Sequence, residues 1–293
     1  MTGQIELPQA ARADDPRRDA MRNDGVMEVS PDLACKRLAI VNVAFYGPPR
    51  AGDRGWVLID AGLVGTRHLI VGAAARRFGR GARPSAIVLT HGHFDHVGEL
   101  GPLAQQWDVP IYAHRAEHPY LNGTSPYPPA DPAVGGGLMA WGAALYPRGP
   151  INVRPRLREL PRDGTVPEMP GWSWIHTPGH APGHVSLWRA ADRALVAGDA
   201  FVTTRQESAY AVLTQGLEMH GPPQYFTPDW AAAARSVRLL ADLRPEVAIT
   251  GHGRPVRGPK MREALDRLAR DFMAIAVPRR GRYVGRPQTE GSS

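Results

Sequence analysis

The sequence predicts an α/β layered fold, and two observations support that prediction. Short apolar runs, such as residues 86–90 and 247–250, have the length and composition of strands buried on both faces. Stretches with helical periodicity separate these runs, and this alternation is typical of sheets covered by helices. The 29 prolines and 32 glycines add many turns and loops between the elements.

The first half of the chain begins with a segment that lacks hydrophobic periodicity and continues with alternating predicted strands and helices. Residues 1–28 are polar and charged, and they predict a flexible N-terminal arm. Thr66 and Gly79 have the residue types of a helix N-cap and of the position just past a helix end. The expected elements are strands over 38–45 and up to 62, a helix over 66–78, a strand over 86–90, a helix over 97–107 and a strand over 109–113.

The second half contains a long segment and a return to regular elements. Residues 115–150 are rich in proline, glycine and aromatics, which is typical of a functional loop such as a lid. Thr227 and Pro228 predict a helix start, as N-cap and first helical residue. One domain is expected over 29–277, with a basic tail over 278–293. The other expected elements are strands near 153–159, 172–176, 184–189, 194–198 and 247–250, and a last amphipathic helix over 261–272.

Composition excludes several classes of protein. The net charge of +7 comes mostly from scattered arginines, so no nucleic-acid-binding surface is predicted. The single cysteine, Cys35, excludes an intramolecular disulfide and is expected to be an ordinary core or surface residue. The N-terminus has no apolar signal region, and no apolar run is long enough to span a bilayer. The expectation is a cytoplasmic protein without a membrane segment, and the sequence predicts no particular oligomeric state.

A dense set of metal-ligating residues follows the strand predicted over 86–90. His91, His93, Asp95 and His96 lie within six residues, too close together for ordinary core or surface roles. Two imidazoles two positions apart can reach one metal, and Asp95 and His96 can point toward a second. Metals roughly 3.5–4 Å apart form a two-metal hydrolytic site.

Together with four other motifs, this run resembles the signature of the metallo-β-lactamase superfamily. The similar motifs are Ile-Asp-Ala-Gly at 59–62, Thr-Pro-Gly-His-Ala-Pro-Gly-His at 177–184, Ala-Gly-Asp-Ala at 197–200 and Thr-Gly-His-Gly at 250–253. The resemblance extends from about residue 38 to residue 255. It implies an αβ/βα four-layer sandwich: two sheets face to face, helices on both outer sides, and metals at one edge.

The resemblance also implies the ligands of a two-metal centre. One metal would be held by His91, His93 and His180, the other by Asp95, His96 and His252, and Asp199 would bridge the two. Two divalent ions are expected; this donor set suits Zn²⁺ best and is compatible with Fe or Mn. A metal-bound hydroxide would attack a small acyl substrate, with Asp95 and Asp199 as catalytic residues that receive or relay a proton. Asp60 and His184 are candidates for orienting the ligands.

Several substrate classes remain open within the family. A thioester, lactone or ester is favoured. The glyoxalase II branch hydrolyses a glutathione thioester, and this chain has few lysines to bind glutathione, which argues against that branch. Val202 replaces the tyrosine that the lactonase branch places three residues after its bridging aspartate. A β-lactam hydrolase is an alternative, but those enzymes generally lack the bridging aspartate. A mononuclear iron persulfide dioxygenase is the other alternative, which metal identity and count would distinguish.

Two further branches are disfavoured. His93 occupies a position where flavodiiron proteins have glutamate, and the length leaves little room for the RNA-clamping domain of the nuclease branch. Loops 115–150 and 203–226 are expected to cover the metals. Their candidate substrate contacts are Tyr120, Tyr127, Trp141, Glu207, Tyr210, His220 and Tyr225.

Overall fold

A computed structural model describes residues 5–13, 25–134, 142, 145–204 and 216–285. Its first strand, β1 (Ile5–Glu6), lies outside the larger N-terminal sheet. The seven strands of that sheet lie side by side in chain order: β2 (Val26–Ser30), β3 (Leu33–Leu38), β4 (Val41–Tyr46), β5 (Val57–Ile59), β6 (Ala86–Val88), β7 (Ile111–Ala113) and β8 (Leu157–Glu159). Strands β2 to β5 pair antiparallel, and β5 to β8 pair parallel.

The C-terminal sheet has the order β14-β13-β11-β10-β9. Its strands are β9 (Trp172–His176), β10 (Val185–Arg189), β11 (Ala194–Gly198), β13 (Val247–Thr250) and β14 (Val256–Arg257). The remaining strand, β12 (Glu218–Met219), pairs antiparallel with β1. Each large sheet contains a parallel pair, β5 with β6 in the N-terminal sheet and β11 with β13 in the C-terminal sheet. Each strand of these pairs leads into one of the sequence motifs described above.

The helices cover the outer faces of the two sheets. They are α1 (Arg67–Phe78), α2 (Phe94–Val97), α3 (Leu100–Trp107), α4 (His118–Leu121), α5 (Trp230–Asp242), α6 (Gly258–Arg270) and α7 (Phe272–Ile275). Short 3₁₀ turns lie at Gln9–Ala11, Arg115–Glu117, Arg154–Arg156 and Gln224–Phe226.

Three apolar cores separate four layers. Between the sheets, Ile59 and Val88 belong to the same buried cluster as Leu187 and Val196. A second cluster joins the N-terminal sheet to α1 and α3, and a third joins the C-terminal sheet to α5 and α6. Burial of apolar surface on both faces of each sheet is the main stabilising contribution of this arrangement. The four-layer αβ/βα sandwich is confirmed.

The N-terminal segment differs from the predicted flexible arm in its described part. Ile5, Leu7 and Ala11 are buried against the outer face of the C-terminal sheet and its helices. The backbone N–H of Leu7 donates to Leu217 O at 2.9 Å, in line with the β1–β12 pairing. The few apolar side chains of a polar segment are enough to dock it because an apolar surface is available elsewhere in the fold. β2 also begins at Val26, inside the range predicted as the arm.

Two helix predictions needed correction. The helix expected over 97–107 is two helices, α2 and α3, with Glu99 as the cap between them, so the first begins inside the histidine run. The helix expected to start at Thr227 begins at Trp230. Its N-cap is Asp229, whose carboxylate accepts a hydrogen bond from Ala232 N at 2.8 Å. Asp229 satisfies a free N–H of the first turn, and Thr227 is left for another role.

Cys35 is buried between the sheets as an ordinary core residue. Across the ranges that the structure describes, no helix combines the length and apolarity that crossing a bilayer would need.

Candidate metal centre

The motif residues meet at one edge of the sandwich, where strands of both sheets end. His91 follows β6 by three residues, and Asp95 and His96 lie in the first turn of α2. Asp199 follows β11 directly, and His252 follows β13 by two residues. Because parallel strands end at the same edge, the two sheets bring these side chains together.

Three overlapping groups of side chains can each hold a metal ion, and all of their members are buried. The groups are His91 with His93 and His180; His91 with His96 and Asp199; and Asp95 with His96 and His252. Within a group the ligand atoms lie within 4.8 Å of one another. All seven sequence-predicted ligands therefore lie together.

The carboxylate of Asp199 lies between the imidazoles of the two ends of the cluster. Its Oδ2 is 3.0 Å from His252 Nε2 and 3.3 Å from His180 Nε2. Its Oδ1 is 3.6 Å from His96 Nε2. Asp95 Oδ2 is 3.5 Å from His252 Nε2, and His93 Nδ1 is 2.9 Å from His180 Nε2. The donor atoms point at a shared centre rather than at separate partners.

The hydrogen bonds behind the imidazoles indicate which ring nitrogens carry protons. His96 Nδ1 donates to the Asp60 carboxylate at 2.9 Å, and His252 Nδ1 donates to Ile40 O at 2.6 Å. In each of these two rings Nδ1 holds a proton, so Nε2 is the nitrogen that faces the cluster. Metal-ligating histidines use their second nitrogen in this way.

Two hydroxyls enforce the same tautomer in two further rings. Thr90 Oγ1 donates to Asp60 at 2.8 Å and therefore accepts from His91 Nδ1 at 3.1 Å. Thr227 Oγ1 donates to Pro223 O at 2.7 Å and therefore accepts from His180 Nδ1 at 3.3 Å. The resulting lone pairs at Nε2 again face the cluster. A metal ion fits this donor set because it needs deprotonated nitrogens.

Buried polar atoms without partners supply an independent test of that fit. Among the described residues, His91 Nε2, His96 Nε2 and Asp199 Oδ1 are buried and make no hydrogen bond. A buried polar atom without a partner costs about 1–3 kcal/mol, so native structures rarely leave three together. These three atoms belong to one of the groups able to hold a metal. A bound cation would satisfy all of them at once.

Charge divides the cluster into two halves. Burial, together with neighbouring imidazoles, holds the pKa of His91 and His180 well below the usual range and lowers the pKa of His93 to about 3. These rings are neutral at neutral pH. Burial opposes a charge on His96 as well, but the Asp199, Asp60 and Asp95 carboxylates outweigh it and raise its pKa well above the usual value. This half of the site therefore stabilises positive charge.

Asp60 and His184 act on the cluster from behind, as the sequence predicted. Asp60 has φ of +62° and accepts from Thr90 N at 2.8 Å, so its carboxylate is held in place where it accepts the hydrogen bond from His96 Nδ1. His184 Nε2 accepts from the backbone N–H of Asp199 at 2.9 Å. The first residue orients an imidazole, and the second fixes the backbone of the central carboxylate.

Glu117 is a buried residue of the site that sequence reasoning missed. Its Oε2 accepts from Gly92 N at 2.8 Å, and its Oε1 accepts from Gly183 N at 2.7 Å. The Tyr127 hydroxyl donates to the same carboxylate. Burial raises the pKa of Glu117, and the bonds from Tyr127, Gly183 and Gly92 oppose that rise. One side chain thus joins the loop that contains His91 and His93 to the loop that contains His180.

Replacing Glu117 with glutamine is expected to weaken metal binding about 10–100-fold, the usual effect of losing a group that orients ligands. A glutamine amide has one acceptor oxygen, so its NH₂ group would face one of the two glycine N–H groups and leave a buried donor unsatisfied. Competition with a chelator measures the affinity, and exposed Glu263 supplies the matched Glu263→Gln control. Unchanged affinity in Glu117→Gln would contradict the linking role.

Asn42 and Thr227 were missed as well. Asn42, in β4, donates from Nδ2 to Thr250 O at 2.8 Å and to Gly253 O at 2.7 Å, and so holds the loop of His252. An asparagine within the apolar strand Val41–Tyr46 was a usable signal, since a buried amide needs partners. Thr227 was assigned as a helix cap, whereas its hydroxyl contacts His180.

The residues predicted to contact substrate lie in different places in the structure, and some of them are outside the described residues. Tyr127 is buried with its ring 4.5 Å from that of His93, and Tyr120 stacks on it at 3.8 Å. Tyr225 packs in an apolar cluster with Phe226, and His220 pairs with Glu218 at 2.9 Å. Trp141, Glu207 and Tyr210 lie outside the described residues.

Comparison with known proteins identifies the family of the chain. The model of the metallo-beta-lactamase superfamily matches residues 38–252, well over half of the chain. The chain belongs to the metallo-β-lactamase superfamily. A relative in Bacillus subtilis (strain 168), named probable metallo-hydrolase YflN, is 44% identical over 256 residues, covering 87% of this chain and 97% of YflN. Together with the buried cluster of side chains able to hold a metal, these similarities show that the protein is a metal-dependent hydrolase.

Solved structures of the superfamily share the fold. A β-lactamase domain protein from Burkholderia ambifaria has a TM-score of 0.60 at 21% identity, covering 89% of this chain and 79% of that one. The protein TTHA1623, solved in a di-iron-bound form, has a TM-score of 0.50 at 29% identity, covering 78% of this chain and 92% of its own. At these levels of identity the likeness supports the architecture.

Proposed function

We propose that this superfamily member is a dinuclear-metal hydrolase that adds water to the carbonyl of a small acyl compound, either a thioester, a lactone or an ester. The supporting observation is the convergence of seven buried ligand side chains, with Asp199 between the imidazoles of both ends. When bound, a metal pair would lower the pKa of a coordinated water toward neutrality, and it would supply positive charge that polarises the carbonyl oxygen.

The chain's own residues would complete the reaction. Asp95 is our candidate for the proton carrier, because it is 7% exposed compared with 1% for Asp199. It would take a proton from the attacking water and give it to the departing sulfur or oxygen. A thioester or ester would then give a carboxylic acid and a thiol or alcohol, and a lactone would give a hydroxy acid. The OH of the water ends on the acyl carbon and its remaining proton on the departing sulfur or oxygen. Asp199 would hold the two metal positions together.

The proposed metals are two divalent ions, with Zn²⁺ the first candidate for an imidazole and carboxylate donor set. The di-iron form of TTHA1623 supports iron as the second candidate. Manganese is compatible with the same donors.

The first test is elemental analysis together with a panel of thioester, lactone, ester and β-lactam substrates. About two metals per chain with turnover of one acyl class is the expected result. One iron per chain with oxygen uptake on a persulfide would replace the proposal with the dioxygenase. Turnover confined to β-lactams would replace it with the β-lactam hydrolase.

Replacing His96 with alanine is expected to remove or weaken one metal and to lower hydrolysis about 100-fold or more. The lost imidazole is the donor shared by the two groups of side chains that include Asp199 and Asp95. Metal content and kcat are measured together, and exposed His68 provides a His68→Ala control. Full activity with a single metal in His96→Ala would refute a dinuclear mechanism.

A further inference from the structure

A pocket opens beside His93 and His180, two of the proposed ligands. Its empty volume is about 240 Å³, part of which is open to solvent. The walls are three aromatic residues, Tyr127, Phe226 and Tyr283, together with four prolines.

The rings of two walls lie against the imidazole of His93. The centroid of Phe226 is 4.8 Å from that of His93, and the centroid of Tyr127 is 4.5 Å from it on another side. The Tyr127 hydroxyl is already used by Glu117 and Gly92. The carbon surface of both rings is therefore what they offer to a molecule in the pocket.

The third ring comes from the segment predicted as a basic C-terminal tail. The Tyr283 hydroxyl donates to Pro129 O at 2.6 Å, and Arg282 N donates to the carboxylate of Asp131. A Cβ at Gly281 would lie 2.7 Å from both Asp131 Oδ2 and Val134 Cγ1, so the Gly281 backbone packs closely against these two side chains. Residues 281–283 thus dock against residues 129–134 and form a wall of the pocket.

The hydroxyl protons of these walls are already used. Both tyrosine hydroxyls donate within the protein, and proline has no N–H group. The tyrosine hydroxyl protons and the proline nitrogens of these walls therefore offer no hydrogen-bond donor to a substrate. A carboxylate in this pocket would lose water and find few donors to replace it, which is costly. A flat apolar ring would instead pack on aromatic walls.

We infer that this pocket binds an apolar, ring-bearing acyl group of the substrate, with Tyr283 and Phe226 as specificity-determining residues. The inference rests on the proposed hydrolase function. It predicts which acyl compounds the site prefers, and it assigns a role in substrate selection to the C-terminal segment.

The test uses N-acetylcysteamine thioesters of phenylacetic, acetic and succinic acid, which share one leaving group. The phenylacetyl thioester is expected to have a kcat/KM at least about tenfold above the other two. Tyr283→Ala should lower the phenylacetyl-to-acetyl ratio about tenfold, and Tyr283→Phe should retain most of it because the ring remains. Met273, which is 62% exposed, supplies the Met273→Ala control with an unchanged ratio.

Binding of uncharged phenylacetamide to the metal-loaded protein separates this inference from the function. Tight binding that weakens about tenfold in Tyr283→Ala supports the pocket even if no acyl substrate turns over, in which case the hydrolase proposal fails. Preference for the succinyl thioester, or an equal loss on all three thioesters in Tyr283→Ala, would overturn the inference while leaving the hydrolase intact.

Discussion

Replacing Asp199 with alanine is expected to empty both metal positions together, with a loss of at least about 100-fold in affinity for each metal. Its carboxylate lies within 3.0–3.6 Å of Nε2 of His252, His180 and His96. The surrounding charge also depends on it. Burial favours the neutral acid, but His252 and His96 outweigh burial and hold the Asp199 pKa well below its usual range. The variant would leave those imidazoles without their counter-charge.

Elemental analysis after dialysis measures the effect, with kcat for the preferred substrate as the second readout. Asp199→Asn keeps the shape and one acceptor oxygen, so it should lose less metal than Asp199→Ala. The exposed Asp242, at the end of α5, gives an Asp242→Ala control. Retention of two tightly bound metals in Asp199→Ala would rule out a bridging role.

Replacing Gly251 with alanine is expected to lower activity about 100-fold or more although every ligand remains, since small displacements in a two-metal site have large effects. A Cβ at this position would lie 1.9 Å from Asp199 Oδ1 and 2.8 Å from His96 Cε1. The backbone cannot retreat easily, because Gly251 N donates to Gly198 O at 2.8 Å and Gly251 O accepts from Asn42 N at 2.7 Å. The Asp199 carboxylate must therefore move.

Metal content, activity and circular dichroism separate this effect from unfolding. The fold should persist while the metals are lost or weakened. Gly101, where a Cβ would meet only Val153 at an ordinary 3.9 Å, supplies a matched Gly101→Ala control in α3. Normal metal content and turnover in Gly251→Ala would show that the Asp199 carboxylate does not occupy this position when the site is active.

The sequence was informative where the signal is local. The strand before His91 and the strand before His252 are short apolar runs, and the ligands follow within three residues. Such patterns depend on neighbouring residues alone, so the α/β layering and the metal-ligating run at 91–96 were predicted from them. The four-layer sandwich and the full set of seven ligands were predicted from the resemblance to the superfamily. Helix ends were less certain because Thr227 and Asp229 are both good cap residues, and tertiary contacts selected Asp229.

The missed features depend on partners distant in sequence. Glu117 accepts from Gly92 and Gly183, which are 25 and 66 residues away. No pattern around residue 117 reveals those bonds. Likewise, the docking of Leu7 depends on a surface that includes Leu217 and the helices near the C-terminus. The composition of such a segment predicts a flexible arm, whereas the folded protein provides an apolar surface on which it packs.

The proposed metal ligands are divided between two sheets, and this division has a consequence for biogenesis. His91 to His96 leave the ribosome well before His252, which follows the thirteenth strand. Full coordination is available only once the two sheets have docked. Bound metals would then favour the docked state by mass action, because a ligand that binds only the native form stabilises it. Cellular metal supply would thereby influence how much of the newly made chain matures, as well as how fast the mature enzyme works.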